Sequence, residues 1–218
     1  MIWALLQKEF VLELRRKSAF AGLMLYLFSM VFICYLTFSL RQNLISPLVW
    51  SALFWTTILF TSVNAVAKSF VGERRGNDIY LYSVASPSAV VFSKMIYSFI
   101  LCSLLSFSGF LLFMILLGNP VLDVTFFFWI ILLSAFGFAS SLTLLSGIAS
   151  KANNSNILMP LLSFPVVISI LLNAVTATKN CIDQLDRSAT WDELLSLVAI
   201  NCIATAISYL LFPYIWRS

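Results

Sequence analysis

Side chains able to do chemistry are few in this chain, and their spacing argues against catalysis. Histidine is absent, which removes the commonest general base, proton shuttle and metal ligand. The four cysteines (Cys34, Cys102, Cys181, Cys202) are scattered, with no CxxC pair. Three of them fall inside apolar runs, where cysteine behaves as a small hydrophobe, so metal or redox use is not expected. Serine is abundant but has no histidine to activate it. A Ser–Lys pair would have only Lys68 and Lys94 to draw on, both near the interface. There is no GxxxxGK(S/T) phosphate loop and no HExxH. The apolar runs lack Asp and Glu in their interiors, where ion and proton pathways place them. The reading is a protein that is not an enzyme and holds no cofactor. If it moves anything, the energy comes from another subunit.

The charged groups that remain gather in one place. Residues 68–94 read KSFVGERRGNDIYLYSVASPSAVVFSK, the one long charged break in an otherwise apolar chain, with four of the 13 Lys and Arg residues. Glu73-Arg74-Arg75 leaves the preceding run, and Gly76 permits a sharp change of direction. Asn77 and Asp78 are both good N-cap residues for a short helix over Ile79–Ala85. Ser86-Pro87 ends that helix, because the residue before proline is pushed away from helical geometry. Ser86 can in turn cap the next helix, with Pro87 at its first position. Tyr80 and Tyr82 suit an interface, having an apolar ring and a polar tip. Such a helix either docks a soluble partner or rests on lipid.

The elements that position this break are membrane spans. Of the 218 residues, 61% are hydrophobic and 10% charged, with mean hydropathy +0.99, where a soluble domain has about 25% charged residues. A span needs about 20 apolar residues. Six runs qualify: 19–40, 47–67, 89–117, 124–148, 157–178 and 194–216. The first is 22 residues long and is followed by Arg41-Gln42-Asn43 rather than a small-residue cleavage site, so it is not read as a signal peptide. The fold class is all-α, a single polytopic membrane domain over residues 1–218.

Charge sets the orientation. Lys8, Arg15, Arg16, Lys17, Lys68, Arg74, Arg75, Lys94, Lys151 and Arg217 fall on one side, and Arg41, Lys179 and Arg187 on the other. The positive-inside rule makes the first side cytoplasmic, with both termini on it. The acidic loop 179–193 (Asp183, Asp186, Asp192, Glu193) then faces outward. A net charge of +4 placed in this way points to membrane rather than nucleic acid. Residues 1–17 read as an interfacial helix, with Trp3, Leu6, Phe10 and Leu14 on one stripe. Arg15-Arg16-Lys17 then sits at headgroup level. Asn64, Asn173 and Asn201 are expected to bond across helices rather than bind substrate, and Gly109, Gly137 and Gly147 to let helices pack closely.

With these elements in place the chain resembles an ABC-2-type permease, and more specifically the CcmB family of haem-exporter subunits in system I cytochrome c maturation. The residues that carry the resemblance are KEFVLELRRKSAFAG (8–22) and the break, within which Phe70, Glu73, Gly76, Pro87 and Lys94 match the family's pattern. Length and span count fit over the whole chain, whereas the motifs lie in its first half. Tyr80 and Tyr82 stand where the family often has aliphatic residues. The resemblance implies a bacterial inner-membrane location, a cytoplasmic CcmA-like ATPase, and CcmC-like and CcmE-like membrane partners. A homodimer stays open. It also implies a cytoplasmic coupling helix between spans two and three, with Glu73, Gly76, Asp78, Leu81, Tyr82 and Pro87 contacting the ATPase. The function implied is coupling of ATP hydrolysis to haem handling or to release of haem-loaded chaperone. The alternatives are an ABC-2 permease for lipid, drug or polysaccharide, and a non-transporting assembly scaffold. With no histidine to ligate haem iron, haem is expected on the partners.

Overall fold

A computed structural model describes residues 2–15, 17–39, 45–71, 86–150, 155–183 and 187–217. Among them there is no strand. The helices are α1 (Ile2–Arg15), α2 (Lys17–Ser39), α3 (Pro47–Val71), α4 (Pro87–Leu117), α5 (Val124–Ser150), α6 (Ser155–Ile182) and α7 (Trp191–Arg217), with a 3-10 turn at Arg187–Thr190. Six of them, α2 to α7, are long and apolar enough to cross a membrane. They match the six apolar runs.

The helix ends follow local chemistry. Ser46 caps α3, its Oγ accepting the Val49 N–H at 3.3 Å. Asp123 caps α5 through the Phe126 N–H at 3.1 Å. Ser86 sits at the N-cap of α4 in extended geometry with proline following, but its side chain makes no capping bond. Proline at the first helical position, with φ already near helical values, suffices there. Gly118 ends α4 at φ 84°, a left-handed conformation that favours glycine.

Two boundaries differ from the sequence reading. The outward loop expected over 179–193 is largely helical. α6 continues to Ile182, the 3-10 turn follows, and α7 begins at Trp191. Asp192 and Glu193 lie in the first turn of α7, where the helix dipole favours acidic residues. Lys179 pairs with Asp183 at 3.7 Å across one turn. Backbone hydrogen bonding does not stop where apolar composition stops, so these helices extend beyond the runs read from the sequence.

The fifth helix is the centre of the bundle and packs against α3, α4, α6 and α7. Its spanning window is 67% buried, against 17% for α2 at the periphery. Small residues make this closeness possible. A Cβ at Gly137 would lie 2.7 Å from Asn201 Oδ1, one at Gly109 would lie 2.6 Å from Ile58 Cδ1, and one at Gly147 would lie 3.1 Å from Phe212. All three expected packing glycines are therefore packing glycines. Asn201 bonds across helices as expected, donating to the Leu133 carbonyl at 3.0 Å. Asn64 and Asn173 instead donate to the carbonyls of Phe60 and Ser169 in their own helices. A neighbouring carbonyl four residues back is always in reach, whereas a partner on another helix is not.

Where α3 and α5 begin and α4 ends, aromatic rings fill the core. Trp50 stacks on Phe54 with centroids 5.6 Å apart, and Phe113 and Phe127 close around them. A turn and a half along α3, the Trp55 indole donates to Thr178 Oγ1 of α6 at 2.7 Å.

Candidate functional site

The opposite end of the bundle, where α1 lies and α4 starts, holds the buried charge. α4 enters directly from the segment 72–85. Its first turns are held on two sides. Phe212 of α7 packs on Val91 and Met95, and the Tyr209 ring approaches Phe92 at 6.0 Å. On the other side α1 packs along α4, with Leu6 and Phe10 entering a cluster with Leu23, Ala65, Tyr97, Leu101 and Leu105. Phe10 meets Tyr97 edge to face at 5.6 Å, a favoured aromatic geometry.

Within this apolar contact lies an ion pair. Lys94 Nζ of α4 is 3.4 Å from Glu9 Oε1 of α1, and the two side chains are 1% and 9% exposed. The same Glu9 oxygen is 3.6 Å from Lys8 Nζ, on a side chain that is one-third exposed. Among the described residues, the carboxylate thus faces at least two cations, one interior and one at the surface. Deeper along the contact between α4 and α5, Thr143 Oγ1 donates to Ser98 Oγ at 3.1 Å. A buried pair adds little net stability relative to apolar residues of the same size.

This arrangement changes the picture of the N-terminal helix. The apolar stripe is divided: Leu6 is buried and Phe10 half-buried against protein, whereas Trp3 is 69% exposed. The helix does more than lie on a surface; it is seated on α4 by two apolar residues and a charge. Glu9 was not singled out by sequence reasoning. A signal existed, since Lys94 inside an apolar run requires an acid, and only Glu9, Glu13, Glu73 and Asp78 share its expected side.

Of the sequence-predicted contact residues, Pro87 opens α4. Glu73, Gly76, Asp78, Leu81 and Tyr82, and the short helix expected around them, lie outside the described residues. Arg15 ends α1 and Lys17 opens α2. Arg16 lies outside the described residues. None of the four cysteines is in a disulfide.

The model of the family described as CcmB protein matches residues 1–213. The chain belongs to the CcmB family. No curated protein and no solved structure matches it. The CcmB family supplies a membrane permease subunit of the haem-export ABC complex of cytochrome c maturation. Membership in an ABC complex implies an ATPase and membrane partners in general terms. Family and helices together make this chain a multi-pass membrane protein.

Proposed function

We propose that this chain couples ATP hydrolysis by a CcmA-like subunit to movement within the membrane, and that the movement serves haem handling or release of haem-loaded chaperone. The observation that carries the reading is the seating of α4. The helix that emerges from the charged break is gripped by α1 through the Glu9–Lys94 pair and by Phe212 of α7. Force applied at the break therefore reaches two other helices. The charge count supports placing the break, both termini and Arg15-Arg16-Lys17 on the cytoplasmic side of the inner membrane. Glu73, Gly76, Asp78, Leu81, Tyr82 and Pro87 form the ATPase contact in this reading. CcmC-like and CcmE-like partners hold the haem, in keeping with a chain that has no histidine.

Tyr82→Asp tests the docking step. With the chain at wild-type level in the membrane, the ATPase subunit is expected to co-purify at least tenfold less, and c-type cytochromes to fall with it. Undiminished co-purification removes the docking segment from the reading. Haem bound in stoichiometric amount to this chain alone removes the assignment of haem to its partners.

A further inference from the structure

The outer surface of the bundle is uneven in polarity. Along α4 the exposed positions are all apolar: Ile96, Ile100, Leu104, Leu111, Met114 and Ile115. That suits hydrocarbon. The neighbouring pair α3 and α6 differs. These helices pack against each other and are the least apolar of the six spans. On α3, Thr56 and Asn64 are exposed; on α6, Ser169 and Thr176 are exposed and Asn173 is half-buried between them. Ser169, Asn173 and Thr176 recur at i, i+4 and i+7, so they share one face of α6.

The two stripes lie side by side. The Trp55–Thr178 bond fixes a level at which α3 meets α6. Consecutive spans alternate in direction, so α6, the third span after α3, runs antiparallel to it. Asn64 lies nine residues beyond Trp55 and Ser169 nine before Thr178, which puts both about 13.5 Å from that level at 1.5 Å per residue. Phe60 and Asn173 each lie five residues along in the same sense, and Thr56 and Thr176 lie within two. Amides and hydroxyls thus share one outward face at membrane depth.

The Thr176 hydroxyl is met by the Leu172 carbonyl of its own helix at 3.0 Å. An amide asks for more, having two N–H donors and a carbonyl acceptor. Asn173 donates one N–H to the Ser169 carbonyl, and hydrocarbon has nothing to offer the rest. Its depth is the worst for this, the eleventh of the 20 residues in the spanning window Ser163–Ile182. Residues 47–67 of α3 and 155–178 of α6 hold no charged side chain, so this face does not select a partner by charge. An amide is its own complement, because it both donates and accepts. A two-fold interface has the same property: groups near the axis meet their own counterparts. Amides and hydroxyls are side chains that bond across transmembrane helices. Leu172, 60% exposed, and Phe60, 44% exposed, supply apolar surface around the amide.

We propose that the outward face of α3 and α6, centred on Asn173, packs against a second copy of this chain, with the two Asn173 amides bonding each other across a two-fold axis. The interface is read from this surface alone and stands whether or not the coupling proposed above is correct.

Cross-linking in membranes that contain the chain and its partner subunits tests it. Asn173→Cys, Leu172→Cys and, as a control on the apolar face of α4, Leu104→Cys are made in a chain whose four native cysteines are replaced by alanine. A disulfide needs Cα atoms within about 7 Å. On oxidation, Asn173→Cys or Leu172→Cys should give a product of twice the 24.5 kDa chain mass, at least tenfold more than Leu104→Cys. A second measurement keeps the native cysteines: single-molecule photobleaching of the labelled full chain in lipid. Asn173→Leu should lower the two-copy fraction at least tenfold with the chain at wild-type level in the membrane, and Asn173→Gln should retain it. Homodimer product no greater than from Leu104→Cys, or a product that joins position 173 to a different subunit, overturns the proposal. So does an unchanged two-copy fraction in Asn173→Leu.

Discussion

Gly137→Ala places a methyl group where α5 passes close to both α7 and α6. The added Cβ would lie 2.7 Å from Asn201 Oδ1 and 3.1 and 3.4 Å from two atoms of Ile170. Carbon–oxygen contacts settle near roughly 3.3 Å, so the helices must part, or the amide turn, by about 0.6 Å. The amide is not free to turn, because its Nδ2 donates to the Leu133 carbonyl at 3.0 Å. Overpacking of this kind costs roughly 1–3 kcal/mol. Loss of the Asn201 bond adds about 0.6 kcal/mol, the membrane average, and replacing a helical glycine returns about 0.5–1 kcal/mol. The net expectation is a loss of about 2 kcal/mol, near a thirtyfold change in the folded-to-unfolded ratio. Reversible unfolding by SDS in mixed micelles measures it. Asn201→Ala should rescue part of the loss in the double variant, giving a coupling energy of about 1 kcal/mol between the sites. A Gly137→Ala protein within about 0.5 kcal/mol of wild type, or absence of that coupling, refutes the close-approach argument.

Further outcomes follow from the same contacts. Gly22→Ala, with nothing within 4 Å of its added Cβ, should leave stability unchanged or raise it by up to about 1 kcal/mol in the same assay. Thr178→Val keeps the side-chain shape but strands the Trp55 indole N–H, which bonds Thr178 at 2.7 Å; a loss of about 1–2 kcal/mol is expected, read from SDS unfolding. A reporter fused after Ser218 should be active in the cytoplasm; activity only on the far side would reverse the topology.

The spans were legible because apolar length is a direct physical requirement of the bilayer, and the six runs reappear as α2 to α7. The packing glycines were legible for a related reason: between apolar helices, small residues are what allow close approach. Helix ends were less so. Nothing in the hydropathy of Asp192 and Glu193 says that they open a helix rather than lie in a loop, since favourable placement on a helix dipole leaves composition unchanged. Pairing was least legible. Lys94 was visible as a charge in an apolar run, but its partner Glu9 is 85 residues away, and no local pattern spans that separation. For the same reason Asn201 could not be told from Asn64 and Asn173 until the helices were assembled.

The Trp55–Thr178 bond joins residues 123 positions apart, and this bears on how the protein is made. Its two helices, α3 and α6, are the least apolar of the six spans. The third helix therefore enters the membrane with only α2 already in place. Most of its burial depends on α4, α5 and α6, which follow it in synthesis. Until residues near 178 emerge from the ribosome, the indole of Trp55 lacks its acceptor and the face of α3 bearing Ser51, Thr57 and Thr61 lacks its cover. Biogenesis must hold this half-built membrane segment for the time it takes to translate more than half the chain. Substitutions along α3 should accordingly lower yield at the insertion step, before they affect any finished protein.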